Sequence, residues 1–253
     1  MSKVDFRPCF VIPIYDHGST IHSLAAALSV HGLPIYIVDD GSHEATKAEL
    51  EGVVREFTQV RLSRLPRNSG KGAAVMRGMN LACADGMTHA LQIDADGQHD
   101  TRDVPRFLER GAACPHALIV GQPIFDASVP KARLFGRVLT NFWVCVETLS
   151  FAVGDTQCGF RLYPLRATCE LIRQVTFPRR MDFDIAIVVH LAWSGVGVEN
   201  IPTRVAYPAG GISHFHLFRD NVRIALIHTA LVAGMLFRLP LLLRRKLGGG
   251  TWP

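Results

Sequence analysis

The sharpest chemical pattern in this 253-residue chain is a pair of aspartates, Asp94 and Asp96, in the run Asp94-Ala-Asp96-Gly-Gln98. The pair follows an apolar stretch typical of a strand, where side chains at i and i+2 point to the same side. Two carboxylates so close repel each other unless a cation or hydrogen-bond donors lie beside them. Carboxylate oxygens suit a hard divalent cation such as Mg²⁺ or Mn²⁺, which keeps open positions for phosphate oxygens. We therefore expect a metal site here, with a simple acidic turn as the alternative.

Two more polar runs follow predicted strands. In the run Asp39-Asp40-Gly-Ser, a carboxylate can accept hydrogen bonds from a base N–H or a ribose hydroxyl, although the same run also makes a good turn. In the run Asn-Ser-Gly-Lys71-Gly, small residues let a ligand approach the backbone. Lys71 adds a positive charge at a helix start, unless it is simply a solvated side chain. This run lacks the spacing of a P-loop and of a dinucleotide-binding glycine loop.

Short apolar runs alternate with helical patterns through the first half of the chain. Strands are predicted at 9–14, 34–38, 60–65, 88–93 and 117–121. Helices are predicted from an N-cap at Ser19 or Thr20, from the capping box Thr46-x-x-Glu49, and at 71–84 and 103–113. This alternation is typical of a mostly parallel sheet with helices on both faces. Ligands bind such sheets at the carboxyl ends of the strands, where the three polar runs lie.

The second half of the chain is less regular. Its predicted elements are helices at 130–150, 182–194 and 218–246, a polar segment at 155–163, and an extended segment or strand pair at 196–207. The fold class is therefore α/β, a Rossmann-like sheet followed by a C-terminal apolar helix. We divide the chain into a domain at 1–217 and a helical extension at 218–253.

Composition excludes a disordered chain, because 48% of the residues are hydrophobic and only 19% are charged. The net charge of +5 favours anionic partners such as nucleotides, lipid phosphates or an acidic membrane face, without choosing among them. The six cysteines form no Cys-x-x-Cys pair, which is typical of thiols in a reducing compartment. The apolar run at 9–14 is too short for a secretory signal, so the catalytic part is expected in the cytoplasm.

The C-terminal segment concentrates the apolar residues. Ile224–Phe237 is 14 residues without a charge, followed by Arg238 and then by the basic cluster Arg244-Arg245-Lys246. A spanning helix needs about 20 apolar residues, and Arg238 and Pro240 interrupt a stretch of that length. We favour a helix lying in the interface of an anionic membrane, anchored by the basic cluster, over a core or dimer helix or a true span.

Together and in this order, the motifs resemble family 2 glycosyltransferases with the GT-A fold. The resemblance covers nearly the whole chain, most strongly residues 9–100. It is carried by Val11-Ile-Pro13-Ile-Tyr15, Val38-Asp39-Asp40-Gly41-Ser42, Asn68-Ser-Gly70-Lys71-Gly72, Asp94-Ala-Asp96-Gly-Gln98, Asp155-Thr-Gln-Cys158-Gly159-Phe160-Arg161 and Met181–Asp184. The chain is most similar to the dolichyl-phosphate mannosyltransferase-like branch, whose members pass a sugar to a polyprenyl phosphate at the cytoplasmic face of a membrane.

For the donor, the resemblance implies a nucleoside site, a diphosphate site and a metal site. The residues at matching positions are Pro13, Tyr15 and Asp39 for the nucleoside, Asp94 and Asp96 for the metal and diphosphate, Gln98 near the sugar or metal, and Arg133 and Arg137 facing phosphates. Asp40 and Lys71 complete the predicted donor-binding set. One departure is Asp16-His17, where many members carry Asn-Glu.

For the acceptor, the resemblance places Arg161 near the bound acceptor. Asp155 and Asp184 are the candidates for a base or an acceptor-orienting group. The alternatives are a salt-bridged turn for Asp155 and a favourable interaction with a helix dipole for Asp184. A departure is Ser213-His214, where lipid-phosphate enzymes often place Ser-Lys.

The predicted function is an inverting glycosyltransferase that moves a sugar from a nucleotide-diphosphate sugar to a lipid acceptor, with a polyprenyl phosphate favoured. A divalent ion and nearby cations would stabilise the charge that develops on the leaving group. The alternatives are transfer to a hydroxyl of a glycan, lipid or pigment, a nucleotide-binding module without catalysis, and a nucleotidyltransferase. No nucleic acid partner is expected, and the protein is expected to be peripheral at the inner face of a membrane.

Overall fold

The computed structural model describes residues 5–125, 129, 131–206 and 217–247, without the side chains of 131–133 and 217. Its sheet contains β1 (Pro8–Ile14), β2 (Ile35–Asp39), β3 (Val60–Arg64), β4 (His89–Gln92), β5 (Leu118–Ile124), β6 (Arg161–Pro164) and β7 (Val198–Arg204). The strands lie in the order β3-β2-β1-β4-β6-β5-β7, and β6 alone among these seven runs antiparallel to its neighbours. The prediction of a mostly parallel sheet is confirmed.

Helices cover both faces of this sheet, as predicted. They are α1 (Gly18–Ser29), α2 (Glu44–Glu56), α3 (Lys71–Ala84), α4 (Val104–Ala113), α5 (Lys131–Thr148), α6 (Leu165–Gln174), α7 (Phe183–Trp193) and α8 (Leu217–Leu247). The buried side chains of α1, α2 and α4 form one apolar core with the sheet, and those of α3, α6 and α7 form a second. The helices α5 and α8 add to the second core.

The parallel register brings the carboxyl ends of three strands to one edge of the sheet. Ile14 at the end of β1 pairs with Asp39 at the end of β2. The neighbouring strand β4 ends at Gln92, two residues before Asp94. The three polar runs of the sequence therefore meet at one edge, because the strands that precede them run in the same direction.

The strand β6 and the helix α6 are the elements that the sequence did not predict. Residues 155–163 were expected to be a polar segment, yet Arg161–Pro164 forms a fully buried strand between β4 and β5. The charged Arg161 interrupts the run of apolar residues from which a buried strand would be predicted. It is tolerated in the interior because its guanidinium donates to the backbone oxygens of Asp184 and Thr156.

Two predicted N-caps are wrong. The helix α2 begins at Glu44, so Thr46 is a buried residue of its first turn and not the first member of a capping box. The helix α1 begins at Gly18 after His17, and the hydroxyl of Thr20 donates to the backbone oxygen of His17 from inside the helix. The extended segment predicted at 196–207 contains a single strand, β7.

The helix α8 is the apolar C-terminal helix that was predicted. Leu231, Met235 and Leu242 bury one side of it in the second core, against α5 and α7. The Arg238 guanidinium lies 4.5 Å from the centre of the Trp193 ring on α7, so this charge is directed at the rest of the protein. Within the described part of the chain, Phe218–Leu247 is the one helix long and apolar enough to cross a membrane, and only 22% of its most apolar window is buried.

Candidate active site

A cavity of about 1440 Å³ opens at the carboxyl ends of β1 and β4. The loops after these strands contribute charged side chains to its lining, which we call the charged end, and α5 and α8 contribute both apolar and polar side chains. Predicted site residues that line it are Pro13, Tyr15, Asp40, Lys71, Asp94, Asp96, Gln98, Arg137 and Asp184. Three others, Asp39, Asp155 and Arg161, lie outside the lining. The side chain of Arg133 and residues Ser213 and His214 are outside the described part of the chain.

Lys71 lies at the centre of the charged end. Its Nζ donates to Asp94 Oδ2 and to Asp184 Oδ2, each at 2.7 Å. Burial alone would lower the pKa of Lys71, but the two carboxylates outweigh it and hold its pKa above the ordinary value. The pKa of Asp94 lies below its usual range, because Lys71 overcomes the opposing effect of burial. The geometry makes Lys71 a cation at all ordinary pH values.

Asp184 lines the cavity from the first turn of α7. Its Oδ1 has no hydrogen-bond partner in the described structure but lies 3.7 Å from Nη1 of Arg161. Arg161 is fully buried, and its Nη1 also donates to the backbone oxygen of Asp184 at 2.8 Å. Arg161 therefore supports the position of Asp184, and its predicted place near the acceptor stays a prediction.

The two aspartates after β2 have different surroundings. Asp40 accepts hydrogen bonds from the backbone N–H groups of Ser69 and Gly70, both at 2.7 Å. Burial nevertheless raises the pKa of Asp40. Asp39 is fully buried, and its Oδ2 has no hydrogen-bond partner, with Arg64 Nε 3.6 Å away. A buried carboxylate oxygen without a hydrogen bond is costly, and the ion pair with Arg64 offsets part of that cost.

Asp94 and Asp96 offer the oxygen ligands that a divalent cation prefers. Both line the cavity, and Asp96 uses only Oδ1 locally, to accept from the backbone N–H of Gln98 at 3.0 Å. Gly159 faces Asp94, and a Cβ at this glycine would overlap the carboxylate. No group of three or more metal-ligating side chains was found in the described ranges. The residues fit Mg²⁺ or Mn²⁺ whose remaining ligands are phosphate and water oxygens.

Arg137 and Asp155 form a buried pair beside the cavity. Arg137 donates to Asp155 Oδ2 at 2.7 Å. The other carboxylate oxygen accepts from the backbone N–H groups of Gln157 and Cys158, at 2.8 and 2.6 Å. Both oxygens of Asp155 are therefore engaged, in the geometry of the salt-bridged turn that the sequence offered as the alternative to a base.

Several lining residues were missed by the sequence reasoning. Arg180 faces the cavity and donates to Asn68 Oδ1 at 3.2 Å. Arg219, Arg223 and His228 of α8 also line the cavity. The only sequence signal for Arg180 is its position directly before the segment Met181–Asp184. The residues of α8 gave no signal, because their contribution depends on how the helix folds back on α5.

The order of these sites along the sheet edge matches a known family. The model of "Glycosyl transferase family 2" matches residues 9–140, which is more than half of the chain. The chain belongs to glycosyl transferase family 2. The resemblance predicted from the motifs is therefore confirmed, as is the expectation of a glycosyltransferase.

Curated relatives of this family 2 glycosyltransferase include enzymes named for dolichyl and polyprenol phosphates. A dolichyl-phosphate beta-glucosyltransferase of Dictyostelium discoideum is 30% identical over 164 residues, which cover 61% of this chain and 49% of the relative. A polyprenol monophosphomannose synthase of Mycolicibacterium smegmatis is 22% identical over 231 residues, covering 88% and 86%. The chain thus spans about half the length of the first relative and most of the second.

Solved structures share the fold of this family 2 glycosyltransferase. Glucosyl-3-phosphoglycerate synthase from Mycobacterium tuberculosis, in complex with Mn²⁺, uridine-diphosphate-glucose and phosphoglyceric acid, superimposes with a TM-score of 0.65 at 14% identity. The match covers 93% of this chain and 80% of that protein. The predicted GT-A fold is confirmed by this likeness.

Proposed function

We propose that the protein transfers a sugar, with inversion, from a nucleotide-diphosphate sugar to a polyprenyl phosphate at a membrane surface. The observation that carries this proposal is the lining of the cavity. It combines Asp94, Asp96 and Lys71 with apolar side chains of α5 and α8, which we call the apolar groove. Such a cavity suits two substrates, one a charged nucleotide and the other an amphiphile with an anionic head.

The charged end supports binding of the donor. Pro13 and Tyr15 line the cavity, and Asp39 lies behind the lining at the end of β2, with an Oδ2 that accepts no hydrogen bond and lies 3.6 Å from Arg64 Nε. We propose that a base N–H donates to this oxygen when the donor binds. Asp94 and Asp96 would hold a divalent cation that stabilises the negative charge of the leaving diphosphate. Arg180 and Lys71 supply further positive charge on the same side of the cavity.

The apolar groove supports binding of a lipid acceptor. Its walls are Phe135, Leu139 and Trp143 on α5 and Ile224 and Val232 on α8. Arg137, Arg219 and Arg223 line the same cavity, where Asp155 pairs with Arg137 and Asp220 pairs with Arg223. A hydrocarbon chain gains free energy from leaving water for such a groove, and guanidinium groups bind a phosphate head group.

The acceptor chemistry favours a phosphate over a hydroxyl. An ionised phosphate oxygen attacks the anomeric carbon without a base, on the face opposite to the leaving group, and the product is inverted. Asp184 is the one predicted base that lines the cavity, and its Oδ2 already accepts a hydrogen bond from Lys71. Transfer to a hydroxyl, with Asp184 Oδ1 as the base, is the second candidate.

The outer surface of α5 and α8 supports membrane association. Exposed side chains of α5 form an apolar stripe, namely Phe135, Val138, Leu139, Phe142 and Trp143. Exposed Leu226, Leu236 and Phe237 continue the apolar surface on α8, which ends in Arg244, Arg245 and Lys246. Arg238 contacts Trp193, and the buried side of α8 packs against the rest of the protein. We therefore propose that the extension at 218–253 lies along the surface of the membrane, in the interfacial region of an anionic, cytoplasmic leaflet.

Thermal-shift titration of the full chain tests the donor site. UDP- and GDP-sugars are each added with Mn²⁺ or Mg²⁺, and a ligand at 100 times its Kd should add about 2.7 kcal/mol of stability. We expect stabilisation that requires the metal and that Asp96→Ala abolishes. Metal-independent stabilisation that survives in Asp96→Ala would contradict the proposed site. Release of pyrophosphate on turnover would instead indicate a nucleotidyltransferase, and binding without turnover a nucleotide-binding module.

A further inference from the structure

A buried carboxylate–imidazole pair joins α5 to α8. Glu147 of α5 is fully buried, and its Oε1 lies 2.6 Å from Nδ1 of His228, which is 7% exposed. The backbone oxygen of Glu147 also accepts from the indole N–H of Trp193 at 2.8 Å, which fixes this end of α5. The pair is thus a rigid element inside a helix interface that is otherwise mainly apolar.

Each member of the pair has one polar atom without a partner. Glu147 Oε2 and His228 Nε2 are buried and make no hydrogen bond to any described residue. Buried polar atoms are nearly always satisfied, because leaving one unpaired costs the full desolvation of the group. A feature kept at such a cost needs a reason other than packing α5 against α8, which apolar side chains would do better.

The position of His228 supplies that reason. His228 is one of the residues that line the cavity, as is Ile224 one turn earlier on α8. Because Glu147 occupies Nδ1, Nε2 is the ring nitrogen without a partner among the described residues. Arg223, which pairs with Asp220 at 3.2 Å, lines the same cavity nearer the start of α8.

A contact with an anionic oxygen sets a condition on the protons of the pair. Burial raises the pKa of Glu147, and the hydrogen bond to His228 only partly offsets the shift. Nε2 donates when the ring carries a hydrogen on both nitrogens, or when a neutral Glu147 donates to Nδ1 and the ring hydrogen is on Nε2. A ring with its one hydrogen on Nδ1 leaves Nε2 as an acceptor.

We propose that His228 Nε2 donates a hydrogen bond to an anionic oxygen of the acceptor head group, with Glu147 as the positioning residue that orients the ring. The inference rests on the proposed function, since it names a contact for the acceptor of that reaction. It makes α8 a part of the acceptor site as well as a membrane element. It also assigns an acceptor contact that does not depend on Ser213 or His214.

Steady-state kinetics of the full chain test this contact with a short-chain polyprenyl monophosphate in detergent micelles. We expect His228→Leu to raise the KM for the lipid phosphate at least tenfold and to leave the KM for the nucleotide sugar unchanged. His228→Gln keeps an N–H donor and should restore most of the loss, and Glu147→Gln should give an intermediate KM. His190→Leu is the matched control, because His190 is a half-buried histidine of α7 outside the cavity lining and should leave both KM values unchanged.

The outcomes separate this inference from the proposed function. If the wild-type protein transfers sugar and folded His228→Leu keeps the wild-type KM for the lipid phosphate, the inference is wrong and the function stands. If His228→Leu does not fold, an unchanged lipid KM in folded Glu147→Gln, or an equal rise of the lipid KM in His190→Leu, overturns it. An equal effect of His228→Leu with the uncharged polyprenol would overturn the assignment to an anionic oxygen. If the wild type binds donor but uses neither lipid, the proposed function fails and the inference fails with it.

Discussion

Lys71 and Asp184 lie 113 residues apart in the chain, yet Nζ of Lys71 donates to Asp184 Oδ2 at 2.7 Å. The same ammonium group donates to Asp94 Oδ2. One cation therefore ties the start of α3 to the loop after β4 and to the first turn of α7. This contact joins the two halves of the chain at the candidate active site.

Removing this cation should destabilise the fold. We expect Lys71→Met to lower the free energy of unfolding by about 3–5 kcal/mol, because it leaves Asp94 and Asp184 as uncompensated carboxylates in a largely buried site. Urea denaturation measures the change. Lys47→Met is the control, since Lys47 pairs with Glu44 at the surface and its loss should have no measurable effect. Equal stabilities of the two variants would show that the buried network contributes nothing.

Gly159 should be essential for donor binding. We expect Gly159→Ala to abolish metal-dependent binding of the nucleotide sugar, because the added methyl group would displace the carboxylate of Asp94. Gly52→Ala is the matched control: nothing lies near a Cβ at this helical position, and alanine there should stabilise the protein by about 0.5–1 kcal/mol. Isothermal titration with UDP- and GDP-sugars measures the binding. Wild-type affinity in Gly159→Ala would rule out Asp94 as a donor-site ligand.

Asp39 should contribute one charged hydrogen bond to the nucleoside. We expect Asp39→Asn to weaken nucleoside-diphosphate binding by about 1.5–3 kcal/mol, with metal binding retained. Asp100→Asn is the control, because Asp100 accepts a hydrogen bond from Arg102, whose side chain is exposed. Titration calorimetry with UDP and GDP compares the variants. An Asp39→Asn protein with unchanged affinity for both nucleotides would refute this role.

Protonation of His190 on α7 should make the free energy of unfolding depend on pH. The pKa of His190 is lowered to about 4, first because the ring is buried and then because Arg238 is near. Since the unfolded value is about 6.5, the unfolded chain binds more protons between these limits. Stability from the neutral ring is therefore present above about pH 6.5 and is lost as the pH falls towards 4. Melting temperatures over this range should fall less steeply for His190→Phe, and parallel curves would contradict the assignment.

The full chain should bind anionic vesicles both by electrostatic attraction and by insertion of apolar side chains. Arg244 and Lys246 should make binding weaken with salt, at about 1 kcal/mol per cationic side chain near the surface. Insertion of apolar side chains should leave a residual attachment in high salt, which Phe142→Ser and Phe237→Ser should remove, since these side chains are 58% and 88% exposed. Vesicle co-sedimentation across a salt series measures both. Wild-type protein that stays in the supernatant at low salt would refute the interfacial assignment.

The sequence predicted the parts of the site that depend on local patterns. Strand–helix alternation placed Asp39 and Asp94 at strand ends and Lys71 at a helix start, and the register of parallel strands then brings such positions together without further information. The helix at 71–84 matches α3 because its start and its buried face are both encoded locally.

What the sequence did not predict depends on contacts between distant segments. Arg161 belongs to a buried strand only because backbone oxygens of Asp184 and Thr156 satisfy it. The pairing of Glu147 with His228 depends on how α8 folds back on α5, 81 residues later. Sequence periodicity does not encode such tertiary contacts. The hydrophobic pattern therefore predicted α8 as an apolar helix and assigned its polar residues no role in the site.

The most direct measurement is product analysis after incubating the full chain with a nucleotide-diphosphate sugar, Mn²⁺ and a short-chain polyprenyl monophosphate. We predict free nucleoside diphosphate and a glycosyl lipid phosphate in equal amounts, with the anomeric configuration of the donor inverted in the proton NMR spectrum. We also predict that Asp96→Ala forms neither product. Retention of configuration, release of pyrophosphate, or transfer only to an uncharged hydroxyl acceptor would contradict the account.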